Sequence, residues 1–184
     1  MIMKLMQAAV LMASTLALGG CQLGAKTAAP AKKPPAADYQ AAVPPSPPAA
    51  QIRAICYNEA DLATIRARML QQEMSVAALQ CQTPSGGRAY EPQYASFLGK
   101  YHADLATNAR ALQELTRRKR LNIDVVVTEF ANRTAQKAPV DKEFCSRSLR
   151  ALEWALDARA TSIAQVPPPY DLGPDMNIHP CAAR

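Results

Sequence analysis

Five cysteines constrain this chain more than any other feature of its sequence. Cys21 lies near the N-terminus, and the other four follow in the remaining chain with gaps of 25, 64 and 36 residues: Cys56, Cys81, Cys145 and Cys181. Structural zinc sites usually draw their cysteines from closely spaced pairs, and this sequence has no Cys-x-x-Cys. We therefore expect no metal site. In an exported chain, an even set of four cysteines predicts two disulfides.

The first 21 residues have the order of a secretory signal. Lys4 supplies a short positive region, and Leu5 to Leu18 is an uncharged, almost wholly apolar run of 14 residues. A permanent membrane helix needs about 20 apolar residues, so this run is too short to span a bilayer. The sequence predicts a leader that is removed after export.

The end of this leader, Leu18-Gly19-Gly20-Cys21, resembles the lipobox of bacterial lipoproteins. The resemblance implies that the Cys21 thiol is acylated, with palmitate among its acyl chains, and that cleavage before it removes residues 1–20. Gln22 stands where an aspartate would retain a Gram-negative lipoprotein in the inner membrane, which implies the periplasmic face of the outer membrane. The alternative is an ordinary signal peptide with an incidental cysteine.

Residues 21–50 are predicted to form a lipidated cysteine and a disordered linker. Seventeen of the 29 residues from 22 to 50 are Ala or Pro, and the segment has no apolar periodicity. Proline-rich segments favour extended geometry at about 3.1 Å per residue, which gives this linker a reach of about 90 Å. A spacer is the preferred interpretation. The alternative is that Pro44–Pro48 is a peptide that docks in a partner's groove.

Residues 51–184 are predicted to form one all-α domain, an up-down bundle of four helices. The first helix begins at Asn58, a good N-cap with Asp61 three residues later, and ends near Cys81. Its apolar positions recur at helical spacing: Leu62, Ile65, Met69, Val76 and Leu79.

The second predicted helix runs from Pro92 to the basic sequence Arg117-Arg118-Lys119-Arg120. Residues seven apart form two adjoining rows, a pattern typical of a bundle seam. The first row is Tyr94, Tyr101, Asn108 and Leu115, and the second is Leu98, Leu105 and Leu112, with Phe97 beside them.

The third helix is predicted to run from its N-cap, Asn122, to the proline at position 139, although Val125–Val127 has strand propensity. Its apolar face is predicted to contain Ile123, Val127, Phe130 and Thr134. The fourth is predicted to run from Asp141 to Ala164. Its apolar stripe is Cys145, Leu149, Leu152, Leu156 and Ile163. The proline-rich residues 167–184 are predicted to be coil that packs back on the bundle.

The helix order narrows the disulfide pairing from three possibilities to one. Cys81 closes the first helix and Cys145 opens the fourth, so an up-down bundle brings them to one end. Cys56 precedes the first helix and Cys181 follows the fourth, at the opposite end. The predicted pairs are Cys81–Cys145 and Cys56–Cys181.

The chain contains no recognisable catalytic or phosphate-binding motif, and we expect neither enzymatic activity nor a cofactor. His102 and Asn108 are candidate binding residues, with a solvent-edge histidine and a register-setting asparagine as the alternatives. Arg117, Arg118, Lys119 and Arg120 form a possible patch for anionic lipid or an acidic partner, or simply a solvated helix end. Nucleic acid is not an expected partner of an exported chain.

The body resembles small exported proteobacterial helical proteins with two disulfides and no assigned activity. The resemblance rests on the sequence MSVAALQC and on a following pattern of Tyr94, Phe97, Lys100, Tyr101, Leu105 and Asn108. It implies a fold and no catalytic residue. The sequence therefore predicts a non-enzymatic envelope lipoprotein that is anchored by lipid and contacts an envelope protein or lipid. The alternative is a small-ligand or chaperone-like module with a pocket between its helices.

Overall fold

A computed structural model describes residues 37–42, 52 and 55–182, which belong to one compact unit. This part of the chain is mostly helical, with five α-helices and one two-stranded sheet. The elements in chain order are β1 (Ile55–Tyr57), α1 (Glu59–Gln80), α2 (Glu91–Lys100), α3 (His102–Lys119), α4 (Ile123–Lys137), α5 (Phe144–Leu156) and β2 (Ile178–Pro180). The predicted leader, Cys21 and Pro44–Pro48 lie outside the described residues.

α1 is the central helix of the fold and contacts each of the other four helices. The side chain of Asn58 caps it by accepting a hydrogen bond from the Asp61 N–H at 2.8 Å. The 22 residues of α1 contain no glycine or proline, so no residue in the helix interrupts its hydrogen bonds. The described residues form five α-helices, and α1 packs against all four of the others. An up-down bundle of four helices is therefore not confirmed.

α1 buries residues on two faces and thereby separates two hydrophobic cores. Leu62, Ile65 and Met69 face one core, whereas Leu70 and Met74 face the other. The apolar stripe predicted for this helix corresponds only to the face that contains Leu62, Ile65 and Met69. Leu79 was predicted to lie on that stripe, but it is 54% exposed.

The predicted second helix is bent into α2 and α3 at Tyr101. The backbone there departs from helical geometry, with φ −103° and ψ 17°. The hydrogen bonds from the Tyr101 N–H to Phe97 O and from the Leu105 N–H to Tyr101 O persist, so the bend is a kink. The Tyr101 hydroxyl donates to the carbonyls of Ala155 and Ala160 at 2.6 and 3.1 Å, and these contacts hold the bend in place.

α4 is helical through Val125–Val127, despite the strand propensity of that sequence. The Asn122 side chain caps the helix by accepting hydrogen bonds from the N–H groups of Asp124 and Val125. Phe130 and Thr134 are buried as predicted, and Val126 takes the inward place that was predicted for Val127.

α5 is shorter at both ends than the predicted fourth helix. Asp141 precedes it and accepts a hydrogen bond from the Glu143 N–H at 2.8 Å. The helix ends before Asp157, whose carboxylate binds both the N–H and the guanidinium of Arg159 and thereby favours a turn. Ile163 is buried as predicted, but it lies in a separate 3-10 turn, Ile163–Gln165.

The C-terminal segment was predicted to be coil, but it also contains a 3-10 turn, Pro174–Met176, and β2. β2 pairs in parallel with β1, with Ile55 opposite Ile178 and Cys56 opposite His179. The strands are only three residues long, and neither has the extended alternating pattern that identifies a strand in sequence.

Two disulfides join Cys56 to Cys181 and Cys81 to Cys145, as the helix order predicted. Cys81 follows α1 and Cys145 lies in the first turn of α5, and these two helices contact each other. For the other pair the structural reason is the sheet, since Cys56 lies on β1 and Cys181 directly follows β2.

Within the ranges described above, every helix falls short of the length or apolar character needed to span a membrane.

Candidate functional site

The basic run at the end of α3 attaches this helix to the start of α1. Arg118 Nη2 lies 2.8 Å from Asp61 Oδ1, and Lys119 Nζ lies 3.7 Å from Asp61 Oδ2. The Asp61 side chain is almost completely buried, so the two cations compensate a charge that burial would otherwise disfavour. Lys119 also donates to the Cys56 carbonyl at 2.9 Å, which ties α3 to β1.

The outer residues of the run, Arg117 and Arg120, are exposed. Arg117 pairs with Glu114 at 2.6 Å, and Arg120 adopts the left-handed conformation of a helix C-cap, with φ 53°. The basic run is therefore largely engaged in contacts within the chain. A patch for anionic lipid or an acidic partner stays a prediction.

Asn108 is buried at the contact between α3 and α1. Its Nδ2 donates to the Thr64 carbonyl at 2.8 Å, the kind of local bond that sets the register of two helices. Its Oδ1 has no hydrogen-bond partner among the described residues. Asn108 also lines a cleft between the two helices, so the register interpretation and a binding role are compatible.

The two histidines lie in different surroundings. His102 is exposed at the first position of α3, one residue after the kink, in agreement with a solvent-edge position. His179 is exposed on β2 and lines a shallow cleft with Arg66 and Asp171. The structured ranges hold no group of three or more His, Cys, Asp or Glu side chains that could bind a metal ion.

An apolar groove of about 290 Å³ lies between the C-terminal half of α1 and α2. Its lining residues are Ser75, Ala78, Leu79, Arg88, Glu91, Tyr94, Ala95 and Leu98. Leu79 is one of two large hydrophobic side chains that the described residues expose, and the other, Val140, lies elsewhere. The groove thus brings Leu79, Tyr94 and Leu98 together, and its charged groups are Arg88 and Glu91.

Residues 37–42, the N-terminal strap, lie against the body, although the sequence placed them in a disordered linker. Tyr39 is 1% exposed, and its hydroxyl donates to the Pro167 carbonyl at 2.8 Å. The Ala41 N–H donates to the Pro169 carbonyl at 2.9 Å, and Ala41 forms a parallel bridge with Tyr170. Tyr39 is the sole aromatic residue between positions 22 and 50, a signal that could have identified this anchor.

A polar network around Asp141 also binds the strap, through Arg147. Asp141 Oδ2 accepts hydrogen bonds from the Tyr170 hydroxyl at 2.7 Å and from Arg147 Nε at 3.1 Å. Arg147 Nη1 donates to the Tyr39 carbonyl at 3.0 Å. Burial opposes ionisation of Asp141, but the bonds from Tyr170, the Glu143 N–H and Arg147 together lower its pKa. The Asp141 carboxylate is therefore ionised at neutral pH.

Glu73 is a carboxyl group that α1 buries between the two cores. Its Oε2 accepts a hydrogen bond from the Tyr170 N–H at 3.2 Å, and its Oε1 has no hydrogen-bond partner within the described ranges. Burial raises its pKa well above the usual range, and this effect outweighs the Tyr170 bond; Asp171 raises the pKa and Lys137 lowers it. Glu73 lies four residues after Met69, so the stripe that predicted the helix could also have identified it.

For the described residues, these observations define a disulfide-crosslinked, mostly helical domain with an N-terminal strap, an apolar groove between α1 and α2, and a cleft between α1 and α3. Comparison of the chain with protein-family models, with curated proteins and with solved structures gave no match.

Proposed function

We propose that the protein is a bacterial envelope lipoprotein, held by lipid on Cys21, whose helical body binds another envelope component without catalysing a reaction. The observation that carries the proposal is the cysteine distribution. The two disulfides use all four cysteines of the described chain, and the fifth follows a leader that ends as a lipobox does. Each buried methylene contributes about 0.8 kcal/mol, so several acyl chains anchor a protein stably.

The strap shortens the segment that separates the proposed lipid anchor from the folded body. Because residues 37–42 pack on the body, residues 22–36 separate it from Cys21. At about 3.1 Å per residue their greatest reach is about 45 Å, half of what the whole predicted linker allows. The proposed body therefore stays close to the periplasmic face of the outer membrane.

Fractionation of cells that express wild-type and Cys21→Ser protein tests the anchor. We expect wild type in the outer-membrane fraction. Because acylation precedes cleavage, Cys21→Ser should keep its leader and be absent from that fraction, while Thr27→Ala in the same segment behaves as wild type. Gln22→Asp tests the sorting step and should move the protein to the inner membrane. Cys21→Ser in the outer-membrane fraction at the wild-type level would refute the lipid anchor.

A second candidate function is favoured by the α1/α2 groove. Its lining is mostly apolar, and its volume of about 290 Å³ is near the lower limit for small-ligand pockets. A small apolar ligand would cover Leu79, which is otherwise left in water. This candidate is the binding-module alternative, and it is compatible with lipid anchoring.

Two matched substitutions test this groove, because Leu79 and Val140 are both large, exposed and apolar. With 1-anilinonaphthalene-8-sulfonate as the probe, we expect Leu79→Ser to lose most of the bound-dye fluorescence and Val140→Ser to retain it. Equal effects of the two substitutions, or no fluorescence with wild type, would exclude the groove as a binding site.

A further inference from the structure

The cleft between α1 and α3 combines an apolar floor with a carboxylate, Asp104, that forms no ion pair among the described residues. It has a volume of about 270 Å³, and the 3-10 turn Ile163–Gln165 borders it. The lining residues are Ala63, Thr64, Ala67, Asp104, Thr107, Asn108, Ala111, Ser162, Ile163 and Ala164. The lining contains one carboxylate, one amide and three hydroxyls, but no lysine, arginine or histidine.

Asp104 and Asn108 are one helical turn apart on α3 and therefore share a face of this helix. Asp104 Oδ2 accepts a hydrogen bond from the Ile163 N–H at 2.9 Å, which positions the carboxylate at the edge of the cleft. Throughout the described chain, no lysine, arginine or histidine lies within ion-pair distance of Asp104.

Asn108 supplies an independent indication that the cleft binds a ligand. The residue is only 7% exposed, and its Oδ1 is an acceptor with no partner in the described part of the chain. A buried acceptor that is left unpaired costs about 1–3 kcal/mol. A ligand that donates a hydrogen bond here would remove that cost after a small adjustment of the side chain.

We propose that this cleft binds a protonated primary amine carried on a short apolar chain. An ammonium group has three N–H donors. The cleft lining supplies the Asp104 carboxylate, the Asn108 amide oxygen once its side chain adjusts, and the Thr107 hydroxyl, which also accepts a hydrogen bond from Arg110 Nη2 at 3.3 Å. The apolar chain contacts Ala63, Ala67 and the side chain of Ile163. This site is separate from the α1/α2 groove, and it does not depend on the lipid anchor.

The test uses the full chain in detergent at neutral pH, with n-butylamine as the probe and n-butanol as its uncharged counterpart. We expect n-butylamine to raise the melting temperature and n-butanol not to do so. Asp104→Asn keeps an acceptor for the Ile163 N–H and removes the charge, so amine affinity should fall at least tenfold in calorimetry. Asp124→Asn, an exposed change on α4, is the matched control and should bind as wild type does.

Thr107→Val is a second variant at an exposed position and should weaken amine binding about threefold while the fold is kept. Equal effects of n-butylamine and n-butanol, or an Asp104→Asn variant that binds normally, would overturn the proposal. The source of the amine follows from comparing n-butylamine with a blocked lysine, Nα-acetyl-lysine methylamide. Tighter binding of the blocked lysine supports a lysine side chain of a partner protein, whereas tighter binding of n-butylamine supports a free small amine.

Discussion

The two cores on either side of α1 are closed in different ways. The disulfide core contains Cys81, which is bonded to Cys145. It also contains Tyr57 of β1 and Ile178 of β2, and the disulfide between Cys56 and Cys181 lies beside these strands. The second cluster, the tyrosine core, contains the buried side chains Tyr39, Phe97, Tyr101 and Trp154, and no disulfide.

In the tyrosine core, hydrogen bonds from phenolic hydroxyl groups join distant segments of the chain, whereas disulfides join them in the disulfide core. Tyr101 donates to the Ala155 carbonyl in the last turn of α5 and to the Ala160 carbonyl beyond this helix, and Tyr39 donates to the Pro167 carbonyl. Burial and the nearby Asp104 carboxylate raise the pKa of Tyr101 to about 12, so its hydroxyl stays a donor at physiological pH. The comparison indicates that one half of the domain depends on oxidation, whereas the other depends on the docking of a chain segment.

The largest effect should come from the disulfides. In the chain-entropy model, closing a loop of 125 residues stabilises the fold by about 5 kcal/mol, and closing one of 64 residues by about 4 kcal/mol. We therefore expect the double variant Cys56→Ser/Cys181→Ser to lose slightly more stability in urea unfolding than Cys81→Ser/Cys145→Ser. A much larger loss from the second pair would show that contacts in the disulfide core, rather than loop length, determine the effect.

The next effect tests whether the strap belongs to the tyrosine core. Tyr39→Ala should cost about 3–4 kcal/mol because it empties a buried aromatic site, and Tyr39→Phe about 1 kcal/mol because it removes the bond to Pro167. Leu79→Ala is the exposed control and should change the free energy of unfolding little. If Tyr39→Ala also left it unchanged, the strap would be dispensable and the linker would extend to residue 50 as predicted.

The smallest effect concerns Glu73, which lies between the cores and faces Tyr39, Tyr170, Asp171 and Lys137. Its folded pKa is raised above its unfolded value, so its contribution to stability is full below the unfolded pKa and declines as pH rises toward the folded pKa.

Glu73→Gln keeps an acceptor for the Tyr170 N–H and cannot ionise. We expect it to stabilise the protein at pH 8 and to have little effect at pH 4, as measured by thermal unfolding across this range. A variant that is less stable than wild type at pH 8 would show that the ionised carboxylate is compensated in the folded protein.

The sequence predicted the features that local rules determine. The Asn58 and Asn122 caps were recognised because a cap depends on a few adjacent residues, and the disulfide pairing followed from the order of the cysteines along the helices. The kink at Tyr101 was missed because its cause is a contact with Ala155 and Ala160, more than 50 residues away in sequence.

The docking of Tyr39 and the pairing of β1 with β2 were missed for the same reason. Tyr39 contacts Pro167, and Ile55 pairs with Ile178, so each feature joins parts of the chain that are distant in sequence. The same contrast between local and long-range features applies to the candidate site residues. Asn108 was found because it interrupts an apolar row, whereas Asp104 gains importance only when the turn at Ile163 closes beside it.

One intact-mass measurement tests whether four cysteines form disulfides and the fifth carries lipid. The mature protein is extracted from membranes, treated with iodoacetamide without reduction, and its mass is measured. We predict a chain that begins at Cys21, carries acyl chains and gains no alkyl group. A chain that keeps residues 1–20, or one that gains an alkyl group on an unacylated Cys21, would contradict it.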